Sequence, residues 1–300
     1  MKHQPFPQPT LQHPGPNLAQ LKLRREAEIS PGYVTRRWFK GPRHFYKYMG
    51  ISGEDPNSLR NLRTIIVSSN LWLSSPADFN DPFDMQFNVE PDADRAAVRR
   101  ELERMGRAVR REHGMTKAEA KRKVAQAMLN LDKAFNHERQ SRDRASHGVT
   151  CLTPHPKNLL MWAHYARSHR GICLQFRTSF DPGIFATAIP VEYSDEYPVV
   201  HWPSFPLSEL RAVMLRKGSN WEYENEYRIA TAGVSKRELG IAPRALTAII
   251  LGCKFPVEER PQLERILAER RDAGLPPIKI LRARMGSSHY GIKCFKEISS

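Results

Sequence analysis

The chain has 300 residues, 40% of them hydrophobic, which suits one large domain with insertions or two small ones, each with a buried core. Lys and Arg outnumber Asp and Glu by 47 to 32, and the formal charge of +15 favours polyanionic partners without naming one. No apolar run approaches the roughly 18 residues of a membrane span, and Cys151, Cys173, Cys253 and Cys294 lack both CxxC spacing and the density of a disulfide framework.

Residues 1–42 are proline-rich and then basic, with no sustained period, which predicts a flexible arm; "MKHQPFPQPTLQHPGPNLAQ" has no apolar leader, so a cytoplasmic protein is expected. From residue 43 to 300 a single α+β domain is predicted. "HFYKYMG" at 44–50 has the alternation of a strand, and "SLRNLRTIIVSSNLWLSSPADFNDPFD" reads as helix, short strand and turn. Residues 92–147 change to Arg, Ala, Glu and Lys at helical spacing, broken around "EHGMT". With 15 Lys or Arg against 8 Asp or Glu between Asp94 and Arg144, this predicts a basic helical insertion.

Beyond it, "GVTCLT", "GICLQF" and "IPVEYS" have strand character, and "NLLMWAHYARSHR" between the first two has helical character. A helix is expected over 207–217, a strand at "LTAIILGCKF", a helix at "VEERPQLERILAERRDAG" closed by Gly274, and final strands at "IKILRARM" and "GIKCFKE". Strands joined partly by helices, with short antiparallel pairs, predict mixed, largely antiparallel sheets with flanking helices. Neither GxGxxG nor GxxxxGK[ST] occurs, which argues against a doubly wound nucleotide-binding sheet.

Four stretches are candidates for function. In "FNDPFD", Pro82 pushes Asp81 toward extended backbone and Asn80 can close a side-chain turn, fixing carboxylates Asp81 and Asp84 at a rigid corner, as a ligand contact or as a structural turn. In "NLLMWAHYARSHR", His164 and His169 are five apart, not the i,i+4 of a helical metal pair. Trp162, Tyr165 and the histidines either line a pocket or pack in a core.

"WEYENEYRI", residues 221–229, reads as a strand with Glu222, Glu224, Glu226 and Arg228 on one face and Trp221, Tyr223, Tyr227 and Ile229 on the other. Three carboxylates together raise at least one pKa unless cations such as Lys217 or Arg228 sit nearby. The basic insertion is the fourth stretch: a solvated surface or a phosphate-attracting one.

Taken in order, "LWLSSPADFNDPFD", "CLTPHPKNLLMWAHYARSHRGICLQF", "VEYS" and "RKGSNWEYENEYRI" resemble a bacterial family of unknown function, domain family 2971, over Tyr46 to the C-terminus. More distantly, "GVTCLT", "NLLMWAHYA" and "GICLQF" followed by "ENEYRI" look like the strand, helix, strand and later glutamate strand of ADP-ribosyltransferases, with the Glu-x-Glu spacing of arginine-directed members. The chain departs from that pattern where "FYKY" has no His or Arg and where "CLT" replaces Tyr or Ser-Thr-Ser.

That second resemblance implies NAD as substrate, in a transferase or glycohydrolase that could serve as an effector in bacterial defence against phages. It casts Glu226 and Glu224 as catalytic, Tyr46 or Tyr48 as a nicotinamide stack, and Asn80, Asp81, Trp162, Tyr165 and Arg228 as NAD contacts or charge balance. No resident metal is predicted, and the acceptor would be nucleic acid or protein. Two other readings stand beside it: a nucleic-acid-binding or metal-dependent processing protein using Asp81, Asp84 and the glutamates, and a non-enzymatic interaction module.

Overall fold

The computed structural model describes residues 41–129, 147–231 and 235–298. Apart from residues 41 and 42, the predicted arm lies outside the described residues, as does the 130–146 part of the predicted insertion. The fold is α+β, with mixed and antiparallel sheets and helices packed against them.

In chain order the elements are β1 (His44–Met49), α1 (Pro56–Ile66), β2 (Asn70–Leu73), β3 (Asn88–Pro91), α2 (Arg95–His113), α3 (Lys117–Leu129), β4 (Gly148–Leu152), α4 (Leu159–Tyr165) and β5 (Ile172–Arg177). There follow α5 (Pro182–Phe185), β6 (Ile189–Pro190), β7 (Glu192–Tyr193), β8 (Val199–Trp202), α6 (Leu207–Leu215), β9 (Arg216–Lys217), β10 (Tyr227–Thr231) and β11 (Arg237–Gly240). The chain closes with β12 (Leu246–Leu251), α7 (Arg260–Asp272), β13 (Lys279–Met285) and β14 (Ile292–Glu297).

The largest sheet runs β1-β5-β12-β13-β14, antiparallel except for the β12–β13 pair. Its middle strand is the apolar run "LTAIIL", which has a covered face on each side. Ile249 and Leu251 join Leu62, Ile66, Leu263 and Ile266 of α1 and α7, while Ile250 joins Trp162 of α4. The same alternation governs β1. Phe45 packs into the first cluster, and Tyr46 and Tyr48 turn toward α4.

A second sheet, β4-β10-β6, is antiparallel throughout. The two sheets meet at Tyr46, whose N–H donates to Thr153 O at 2.7 Å and whose carbonyl accepts from Thr153 N at 3.0 Å. The site forms at this junction. Short pairs complete the frame: β2 with β11, β3 with β8 and β7 with β9. The "IPVEYS" stretch is divided between sheets, because β6 pairs with β10 and β7 with β9.

Local chemistry sets the ends of several elements. Asp55 caps α1 by accepting from Asn57 N, with Pro56 in the first turn. Gly274, at φ +67, closes α7 as its sequence predicts. Gly252 permits a close backbone approach, since a Cβ there would lie 2.0 Å from His169 O.

One predicted element is different. Residues 221–229 are not a continuous strand: Ser219–Glu224 forms a 3-10 turn, Asn225 takes a left-handed φ of 44°, and the strand begins only at Tyr227. Alternating glutamates and aromatics match a strand's period, but the 3-10 turn over Ser219–Glu224 and the left-handed Asn225 break the extended path. Glu222 consequently faces solvent, away from buried Glu224 and Glu226.

Candidate functional site

A cavity of about 260 Å³ opens where the two sheets meet. Strand β1 supplies Tyr46, Lys47 and Tyr48, the loop after β2 supplies Asn80, Asp81 and Asp84, and β4 supplies Cys151. Helix α4 adds Tyr165, β9 adds Lys217, and the approach to β10 adds Glu224 and Glu226.

The 3-10 turn explains how both glutamates reach one place. The left-handed residue between them reverses the chain, so Glu224 at the turn's end and Glu226 before β10 converge on the Lys217 ammonium. Tyr193 of β7 holds the second position by accepting a hydrogen bond from Glu226 N at 2.8 Å. Asn158 caps α4 by accepting from Leu160 N and Met161 N, and its amide donates to Tyr223 O at 2.5 Å, which ties helix to turn.

Three carboxylates share two cations in this cluster. Lys217 Nζ lies 2.6 Å from Glu224 Oε2, 3.3 Å from Glu226 Oε2 and 3.8 Å from Asp84 Oδ2. Arg228 donates from Nε to Glu226 Oε1 at 2.8 Å, from Nη2 to Asp84 Oδ2 at 2.6 Å and from Nη1 to Met214 O at 2.9 Å. Tyr165 donates to Glu224 Oε1 at 2.6 Å. All five charged groups are buried, three carboxylates against two cations, and the Lys47 side chain borders the same cavity.

The two glutamates have opposite titration behaviour. Burial alone would raise the Glu226 carboxyl, but Arg228 and Lys217 outweigh it and hold the group at about 2, permanently ionised near neutrality. For Glu224 burial wins over the Lys217 charge and the Lys217 and Tyr165 hydrogen bonds, and its pKa rises. Burial would lower Lys217, yet Glu226, Glu224 and Asp84 raise it above the usual lysine value. Burial pushes Tyr46 up to about 12 and the Cys151 thiol well above its ordinary range, so both stay protonated. Lys47 moves down because of its burial, while Cys151 and Glu226 pull the other way.

The predicted site residues fall into two groups. Glu224, Glu226, Tyr46, Tyr48, Tyr165, Asn80 and Asp81 border the same cavity. The corner at Asn80–Pro82 is a side-chain turn, closed by Asp81 and not by Asn80 as expected: Asp81 Oδ1 accepts from Phe83 N at 2.9 Å. Trp162 and Arg228 do not border it. Trp162 is fully buried beneath Tyr48, at 5.1 Å between ring centroids, and its indole N–H donates to Pro156 O. It belongs to the core because its helix face packs on β1, β5 and β12. Arg228 lies behind Glu226 as its ion-pair partner rather than as a ligand contact.

Lys47 was missed among the sequence candidates. Alternation places it on the face of Phe45 and Met49, and a lysine on an apolar strand face is the signal that could have found it. Its ammonium donates to Thr150 Oγ1 at 3.2 Å and Cys151 O at 3.3 Å, crossing to β4. The metal reading finds little geometric support. The space between the carboxylates is occupied by Lys217 and Arg228, and among the described residues no group of three or more His, Cys, Asp or Glu is arranged to hold a metal ion. Among the described residues no helix is long and apolar enough to cross a membrane. Comparison with family models, curated proteins and solved structures found no match for the chain.

Proposed function

We propose that the cavity takes the nicotinamide and ribose of NAD and that the protein is an NAD-consuming transferase or glycohydrolase with an ADP-ribosyltransferase-like fold, a member of the bacterial family that its motifs resemble. The observation that carries this reading is the Glu226 carboxylate at the wall of a tyrosine-bordered cavity, held ionised by Arg228 and Lys217 and turning its negative field on that space. A positively charged nicotinamide ring, and the oxocarbenium character that follows on C1′ of the ribose, are stabilised by such a field.

The cavity, at about 260 Å³, is smaller than the roughly 300–1,000 Å³ of a typical drug-sized ligand site, and the reading therefore assigns it the ring and its sugar only. In the step this supports, the C1′–N bond breaks and its electron pair leaves with neutral nicotinamide. An acceptor or water then bonds to C1′ and loses a proton. Glu226 stabilises the developing charge or holds a ribose hydroxyl. Glu224, raised by burial, orients the acceptor or receives its proton. Tyr46 and Tyr48 are on the strand face that can offer a ring to the nicotinamide. Arg228 and Lys217 position the carboxylates.

The test is incubation with NAD labelled in its adenylate phosphate, with bacterial lysate as the source of acceptors. Label on protein or nucleic acid supports transfer, and free ADP-ribose with nicotinamide supports hydrolysis. Neither product, with metal-dependent cleavage of nucleic acid instead, overturns the proposal in favour of the processing reading.

A further inference from the structure

The basic segment supports an interaction of its own, independent of the NAD reading. Helices α2 and α3 together carry eleven Arg or Lys against four Glu, and each of these basic side chains is exposed. Helix α2 is amphipathic. Val98, Leu102, Met105 and Val109 recur at i, i+4, i+7 and i+11; Val98, Leu102 and Met105 pack beside Val89 and Trp202 of the β3–β8 pair, and Val109 is buried too. With its apolar stripe covered, the helix has no hydrophobic face left to insert into a bilayer.

The opposite side is a ridge of arginine. At 100° per residue, Arg107 lies opposite the apolar stripe, Arg100, Arg104 and Arg111 fall along one flank, and Arg99 and Arg110 along the other. Arg99, Arg100 and Arg104 have carboxylate neighbours on their own helix or its cap. No ion pair involves Arg107, Arg110 or Arg111 among the described residues. Arg107 therefore faces like charges at i+3 and i+4, each costing a few tenths of a kcal/mol. The helix dipole accounts for Arg110 and Arg111 in the last turn, but not for Arg100 and Arg107.

We infer that this ridge docks duplex nucleic acid through its phosphates. A helix of about 10–12 Å diameter fits a major groove about 12 Å wide; α3 packs on α2 at Gly106, beside Arg99 and Arg110, so Arg100, Arg104, Arg107 and Arg111 on the far side are the ones that face phosphate. From Arg100 to Arg111 the ridge runs about 16 Å, close to five phosphate steps along one strand. Its exposed side chains include no aromatic platform, so contact is to the backbone and independent of sequence.

The test uses the full chain and a fluorescent duplex of about 20 base pairs, followed by anisotropy at several salt concentrations. Replacing Arg100, Arg107 and Arg111 together with Gln should weaken binding and flatten the slope of log K against log salt by about 2–3 units. The same positions changed to Lys should keep the slope within about one unit of wild type. Glu226→Gln should bind as wild type does, which separates this inference from the NAD reading. A triple Gln variant with wild-type slope and affinity would overturn it, as would tighter binding of wild type to phosphatidylserine vesicles than to the duplex. The exposed positions leave the fold intact, and circular dichroism of each variant checks this.

Discussion

Replacing Glu226 with Gln tests the coupling of the buried cluster. The Arg228 side chain is 0% exposed and donates two of its hydrogen bonds to Glu226, at 2.8 and 3.1 Å. Gln retains one acceptor oxygen but turns an amide N–H₂ toward the donors of Arg228 or Lys217. Breaking a buried ion pair costs about 3–5 kcal/mol. The depression of the Glu226 carboxyl from 4.5 to about 2 gives a separate figure of about 3 kcal/mol. Asp84 still compensates Arg228, so the low end of the range applies.

Urea unfolding near pH 7 should show a loss of about 3 kcal/mol with an unchanged m-value. Because the folded pKa lies below the unfolded one, this contribution is complete above pH 4.5 and fades as pH falls toward about 2. The gap between wild type and variant should close over the same window. A loss below about 1 kcal/mol, or a gap independent of pH, would refute the coupling.

Lys217→Met removes the cation shared by three carboxylates. The Glu224 carboxyl should rise further, by nuclear magnetic resonance titration, and stability should fall by about 3 kcal/mol or more. Asn225→Gly should be close to neutral and Asn225→Val should cost about 1–2 kcal/mol, measured by thermal unfolding, because only the former is at ease at φ 44°. Asn158→Ala should cost about 1 kcal/mol through loss of the α4 cap, and should loosen the turn bearing Glu224, seen as faster amide exchange at Tyr223 and Glu224. Gly252→Ala puts a Cβ against backbone at 2.0 Å and should destabilise by about 1–3 kcal/mol or more, read as a lowered Tm.

Much of the fold was legible where apolar periodicity is strong. The run "LTAIIL" and the alternation of "HFYKYM" identify strands, and Asn158 and Gly274 mark a helix start and a helix end. The site was legible in composition more than in shape. Glu224, Glu226, Tyr46, Tyr165 and Asp81 were identified as chemically loaded, but an alternating pattern cannot reveal that the chain turns left-handed at Asn225. Trp162 and Arg228 illustrate the other limit. An aromatic and an arginine near a site have the same local sequence whether they face the cavity or support its wall, and only long-range packing on β5 and β12, or pairing with Asp84, decides. Lys47 was hidden for a related reason, since its partners are on β4, about a hundred residues away.

The most direct measurement is the initial rate of nicotinamide release from NAD by wild type and by Glu226→Gln under identical conditions. Domains usually have about 5–15 kcal/mol of stability, so the variant should remain folded at assay temperature, which its circular dichroism verifies. Wild type should release nicotinamide measurably, and the variant should do so at least about 100-fold more slowly. Equal rates in the two folded proteins, or no release by wild type at saturating NAD, would contradict the proposed function.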